Sequence, residues 1–191
     1  MTFRLNTSIR HLPFYVAAVL GGALCGCSSA PIHYYTLVPI KDTASNPNAS
    51  LADILVDRVS MPPQVDRSQL VIRQGNNGLV ILETQWWGAN LTDEFRNALV
   101  NQLPPLGTST SKRTKLHLTL EVQRFDSVPG HYALLEARWR LRNREADVRM
   151  ECHTTLSTPS GNTIEGLVSA HQTNITKLSS LIEAAGRKGK C

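Results

Sequence analysis

The chain has 191 residues, with 20 Lys+Arg against 15 Asp+Glu, a formal charge of +5, and 41% hydrophobic residues. That is enough chain for one domain with a real core. The charge excess is too small, and too scattered, to indicate a nucleic-acid partner.

The first ten residues carry Arg4 and Arg10 and no acid. An apolar run from Leu12 to Leu24 follows, 13 residues interrupted only by Pro13 and two glycines. This length suits a signal-peptide core and falls well short of the ~20 residues that span a bilayer. The run ends in Leu24-Cys25-Gly26-Cys27, which looks like a bacterial lipobox: a branched apolar residue, two small residues, then the cysteine that receives lipid. Residues 1–26 therefore read as a lipoprotein signal peptide and Cys27 as the acylated anchor. The alternative is an ordinary secretory signal cleaved near Ala23 or Ala30. Two or three acyl chains make an anchor that is in effect permanent, since each buried methylene contributes about 0.8 kcal/mol. Ser28 is not the Asp that retains enteric lipoproteins at the inner membrane, so outer-membrane sorting is favoured, with the chain facing the periplasm. The processed chain keeps 18 basic and 15 acidic residues, a net +3.

Residues 27–32 read as a lipidated tether, and 33–186 as one α+β domain. His33–Val38 is aromatic and β-branched, a first strand. Lys41–Ser50 is a polar loop. Ile54–Val59 is a second strand, stopped by Pro62-Pro63. Gln69–Arg73 and Leu79–Glu83 flank Gly75-Asn76-Asn77-Gly78, a hairpin signal because Gly and Asn tolerate the positive φ of a tight reversal. Asn90–Leu103 has Leu91, Phe95, Ala98, Leu99 and Leu103 at helical spacing, with Asn90 as a cap and Pro104-Pro105 as the stop.

Lys115–Phe125 alternates, with Leu116, Leu118, Leu120 and Val122 facing one way. Pro129-Gly130 turns the chain. Tyr132–Arg142 alternates too: Ala133, Leu135, Ala137, Trp139 and Leu141 inward, Glu136, Arg138, Arg140 and Arg142 outward. Val148–Thr155 is a more polar strand. Gln172–Ala185 reads as a second helix with stripe Ile175, Leu178, Ile182 and Ala185, capped by Gly186, and 187–191 as a basic tail. The expected architecture is an antiparallel or mixed β-sheet with two amphipathic helices on one face, a two-layer sandwich.

Catalytic signatures are not evident. The chain contains no G-x-S-x-G, H-E-x-x-H, Walker loop or paired C-x-x-C, and nothing in it calls for a metal or other cofactor. His117 and His153 read as surface residues rather than ligands. Cys152 and His153 are adjacent, so on a strand they point to opposite faces. Asp66-Arg67 reads as an ion pair or turn-stabilising carboxylate rather than half of an acid–base site. After processing, Cys152 and Cys191 remain beside Cys27. An oxidising compartment permits a bridge between them, the alternative being a free core thiol and a frayed terminus.

An ordered series of short motifs runs through the domain: Tyr34-Tyr35-x-Leu37, then Val65-Asp66-Arg67-Ser68-Gln69-Leu70-Val71-Ile72-Arg73, then Trp87-Gly88-Ala89-Asn90-Leu91 and Leu99-Val100-Asn101-Gln102-Leu103. Val122-Gln123-Arg124-Phe125-Asp126 and Leu135-Glu136-Ala137-Arg138-Trp139 follow. From Tyr34 to the C-terminal helix the series resembles the PqiC (YmbA) family of ABC-type transport auxiliary lipoproteins. It departs from the family at Ala89 and Asn90, where many members have a proline and an acid, and in a C-terminal helix that looks short.

The resemblance implies an accessory, non-enzymatic role. Such lipoproteins are encoded with MCE-domain proteins, whose rings and tubes cross the periplasm to move lipid between membranes or maintain the envelope. An inner-membrane permease and ATPase drive the ABC-linked versions. The lipoprotein would dock the tube end at the outer membrane, and a ring partner makes a homo-oligomer plausible. Trp87 sits at the family position and is expected to line the core, as are Phe125 and Trp139. Arg67, Arg73 and Arg124 would pair with acids. The expected contact residues are Trp86, the stripe Arg138, Arg140 and Arg142, and Asp66 with Arg67. Readings from other classes are a periplasmic carrier holding one acyl chain, an envelope enzyme, or an outer-membrane assembly lipoprotein without an MCE partner.

Overall fold

The computed structural model describes residues 29–40, 52–104, 114–143 and 148–191. The expectations for the signal peptide, Cys27 and the Lys41–Ser50 loop lie outside them. By its contacts the chain divides into Met1–Pro31 and Ile32–Cys191. The second unit contains strands β1 (His33–Tyr35), β2 (Ala52–Ser60), β3 (Gln69–Gln74) and β4 (Gly78–Trp87), then helix α1 (Leu91–Gln102). It continues with β5 (Thr114–Val128), β6 (Tyr132–Asn143), β7 (Val148–Pro159) and helix α2 (Ile164–Lys188).

The α+β class is as expected, but the strands form two sheets: β1-β4-β3 and β2-β5-β6-β7. Both are mixed, since β1 runs parallel to β4 and β2 parallel to β5, while the other neighbours are antiparallel. The β3–β4 hairpin thus pairs with the N-terminal strand rather than joining the larger sheet. Arg73 on β3 reaches Asp126 on β5 at 3.1 Å, tying the two sheets together.

Alternation decides the face of the larger sheet that is buried. Leu116, Leu118, Leu120 and Val122 on β5, with Ala133, Leu135, Ala137, Trp139 and Leu141 on β6, form the inner layer, with α2 packed along β6 and β7 and α1 against β2 and α2. On α1, Leu91, Phe95, Ala98 and Leu99 are buried, and the Phe95 ring meets Phe125 of β5 edge-on at 6.3 Å. The alternation does not persist to Phe125 as it began. A bulge between Val122 and Arg124 leaves Gln123 without a partner residue on β6. One extra residue reverses which parity faces inward, so Phe125 and Ser127 enter the core and Arg124 stays out.

The second helix is longer than the sequence suggested. It starts eight residues before Gln172, at Ile164, where the Thr163 hydroxyl accepts from the Gly166 amide at 3.1 Å. The apolar stripe is continuous from Leu167 but includes His171 and Asn174, both buried. Asn174 is satisfied there: its amide donates to Ala133 O at 2.9 Å and its Oδ1 accepts from the Thr158 hydroxyl at 2.6 Å. Two polar side chains on the stripe hid the first half of the helix. At the other end Gly186 does not cap it. Gly189 does, at φ +70°, a conformation that costs glycine little. Gly186 lies within the helix, and its missing side chain makes room for Leu116, whose Cδ1 is 3.1 Å from where a Cβ would stand. Arg187 and Lys188, read as tail, form the last helical turn. Beyond them Cys191 is joined to Cys152 on β7 by a disulfide, with Cα atoms 5.8 Å apart.

Candidate functional site

With both helices on the inner layer, β5, β6 and β7 leave an outer face of charged side chains. Arg138, Arg140 and Arg142 alternate along β6 and all are exposed. Glu151 on β7 lies 3.9 Å from Arg138 and 3.4 Å from Arg140. Arg142 stands directly opposite Arg149, with His117 across from it on the other side. Like charges directly opposite on neighbouring strands repel. Here a shallow depression of about 270 Å³ is lined by Arg140, Arg142, Arg149, Met150 and Glu151. Towards the other end the charges are interleaved: His153 meets Glu136 at 3.1 Å, and Arg124 lies 3.8 Å from the same carboxylate. His117 pairs with Asp57 at 3.0 Å. Arginines and carboxylates therefore share this face, with Arg142 and Arg149 neighbours at one end.

Asp66, Arg67, Trp86 and Trp87 gather at another place, the N-terminus of α1. Asn90 occupies the cap position, yet its side chain makes no capping bond to the helix. Asp66 does that work from outside the helix. Its Oδ1 accepts from the Thr92 amide at 3.1 Å and from the Asn90 side chain at 3.2 Å. A carboxylate there also suits the positive end of the helix dipole. The Pro62–Asp66 turn presents it, closed by the Val65 and Asp66 amides on Pro62 O. Arg67 is half-buried beside this turn.

Trp87 is buried edge-on against Phe125, with ring centres 6.4 Å apart. The Gly88 amide donates to Tyr35 O at 2.8 Å. A Cβ at Gly88 would stand 2.9 Å from the Glu94 Oε1. The Glu94 carboxylate is buried and accepts from the Thr36 hydroxyl and the Leu37 amide through Oε2. That explains why β1 ends at Tyr35 rather than Val38: Leu37 turns to the helix. The Tyr35 hydroxyl donates to Gln85 at 2.7 Å, and burial, then Glu165, pushes its pKa up. The Trp-Gly motif and the Val-Asp-Arg-Ser motif thus form one clasp between β1, β4 and α1. Trp86 points away from it, half-buried, edge-on to exposed Tyr34 at 6.3 Å.

Sequence reasoning missed one polar pair. His171 on α2 and Ser127 on β5 approach to 2.8 Å between Nε2 and Oγ. The pair has the spacing of a base and a nucleophile, but His171 is 1% exposed and Ser127 3%. The imidazole lies flat on Phe125, 3.8 Å between ring centres. Among the described residues its Nδ1 has no hydrogen-bond partner to orient it. Burial pushes its pKa down to about 3, with Asp126 pulling weakly the other way. A substrate cannot reach it, so the pair fills and ties the core. The signal was available: His171 lies four residues before Ile175, on the apolar stripe.

A cleft of about 620 Å³ lies between the β3–β4 hairpin and the β5–β6 turn, lined by Ile72, Arg73, Val80, Val128, His131 and Tyr132 among others. The described residues contain no group of three or more metal-ligating side chains. None of their helices is long and apolar enough to cross a membrane.

Two solved structures share the fold. One, of a protein described only as uncharacterized, superposes with a TM-score of 0.64 at 17% identity, over 81% of this chain and 98% of that one. The other, a Xanthomonas campestris protein, gives 0.61 at 17% identity, over 82% and 96%. No curated protein matches by sequence. The family described as ABC-type transport auxiliary lipoprotein component matches residues 35–183, which takes in both the clasp and the charged face. The chain belongs to the ABC-type transport auxiliary lipoprotein family.

Proposed function

We propose that this chain is the outer-membrane lipoprotein subunit of an MCE-type intermembrane lipid-transport system. Acylated Cys27 holds it at the membrane, facing the periplasm, and the domain docks the end of an MCE-domain ring or tube. The observation that carries the reading is the outer face of β5, β6 and β7. It is uncovered by either helix and carries the exposed stripe Arg138, Arg140 and Arg142. An acidic rim on a partner would complement that stripe. Exposed ion pairs contribute little affinity individually. They steer and orient, which is what a docking subunit needs. Several copies around the tube axis would multiply a weak contact into a durable one.

The test is copurification from gently solubilised membranes after crosslinking, with the wild type and with Arg138, Arg140 and Arg142 all changed to Glu. The wild type should bring down an MCE-domain protein, and the charge-reversed variant at least tenfold less. Normal recovery with the variant would move the contact to another face. Failure of the wild type to bring down any MCE protein would remove the partner itself.

A further inference from the structure

We propose that Ile32, Tyr34 and Trp86 form a membrane-seating patch that holds the domain against the lipid headgroup layer. The inference rests on the reading of Cys27 as the acylated anchor. Ile32 is 44% exposed and Tyr34 65%, both large and apolar. Strand alternation in β1 puts Tyr34 on the opposite side from His33 and Tyr35, and Ile32 directly precedes the strand. The parallel register sets Tyr34 beside Trp86, and their rings meet edge-on at 6.3 Å. Because the Tyr35 hydroxyl is bonded to Gln85 on the opposite side, the edge strand cannot rotate to hide Tyr34. The indole N–H of Trp86 donates to Glu83 O at 2.9 Å, so the polar atom is satisfied and the ring presents carbon.

The length of chain before the patch identifies its occupant. Four residues separate Cys27 from Ile32. At full stretch those five steps reach about 18 Å. A lipid on Cys27 therefore keeps Ile32 within that distance of the headgroups. Tyr34, with an apolar body and a polar tip, beside an indole that presents carbon suits that boundary, where aromatic side chains concentrate. An apolar patch on a domain with a short leash to a bilayer meets lipid before any other surface. Seating would also fix which way the domain points, which acylation alone does not.

The experiment uses the full chain purified from membranes, with its acylation read by intact mass. It is reconstituted in phosphatidylethanolamine–phosphatidylglycerol vesicles whose acyl chains carry bromine, a contact quencher of indole fluorescence. The chain has three tryptophans; Trp87 and Trp139 are buried in the core and shielded. Emission should be quenched on reconstitution, and Trp86→Phe should lose that quenching. Tyr34→Ser should reduce it with vesicle flotation unchanged. Acylated protein that floats but shows the same emission in brominated and unbrominated vesicles would overturn the patch while leaving the anchor intact. Unacylated protein would overturn the anchor reading and the patch with it. If emission is unquenched and Trp86→Ser instead breaks a self-association or loses the MCE protein, the patch is a protein contact, and the lipid assignment is wrong.

Discussion

Across β5, β6 and the two helices the contacts are apolar and continuous: Leu118, Leu141, Phe95, Leu99 and Leu178 are wholly enclosed. At the N-terminus of α1 single polar contacts are added to that burial, Asp66 to Thr92, Glu94 to Leu37 and Gly88 to Tyr35. The first region sets whether the domain folds. The second sets where β1 and Trp86 are held, and so where the domain meets its surroundings. Burial is non-directional and scales with area, whereas a hydrogen bond contributes less but fixes position. Substitutions in the two regions should therefore separate stability from placement.

The largest effect is expected in the apolar layer. Leu99→Ala should destabilise by about 2–5 kcal/mol, read as a lowered urea midpoint with an unchanged slope. A loss below about 1 kcal/mol would mean the helix–sheet contact is not the core of the fold.

The buried imidazole should give a smaller, pH-dependent effect. Its folded pKa is about 3, below the ~6.5 of the unfolded chain. Folding therefore disfavours the proton, and the unfolded state gains it as pH falls. Stability should be unaffected above about pH 6.5 and fall by about 1.4 kcal/mol per unit below it, levelling near the folded pKa. At pH 5 the loss is about 2 kcal/mol. His171→Gln should flatten this dependence relative to the wild type, measured by urea melts between pH 7 and pH 5.

The clasp should cost least. Asp66→Ala removes the cap contact of α1 and should lower stability by about 0.5–2 kcal/mol. Its distinguishing mark is local: amide exchange at Thr92 and neighbouring positions should speed up while the amides of β6 remain protected. Uniform acceleration across the domain would show that the clasp and the core unfold as one unit.

Much of this division was legible in the sequence. The alternation in Leu116–Val122 and Ala133–Leu141 marked the inner layer, and the Leu91–Leu103 periodicity marked α1. These signals are local and repeat. The separate three-stranded sheet was not legible, because nothing within Tyr34-Tyr35 states that their partner is Trp86-Trp87, some fifty residues on. The first half of α2 was hidden by His171 and Asn174, whose burial depends on Ser127, Ala133 and Thr158 across the core. Gly186 was misread for a similar reason: packing on Leu116, rather than helix termination, uses its missing side chain. Asp66 stood out as a motif residue, but its role required knowing that Thr92 lies beside it. In each case the missing information was a long-range contact.

On the proposed reading the domain acts by being anchored at the membrane and docking a transport partner there. Complementation of a strain lacking this chain tests it most directly, with envelope permeability to a large antibiotic as the readout. Wild type should restore the barrier, and Cys27→Ala, expressed to the same level, should not. Equal restoration by Cys27→Ala would contradict the account, because an unanchored domain could not hold the far end of a transport assembly at the membrane.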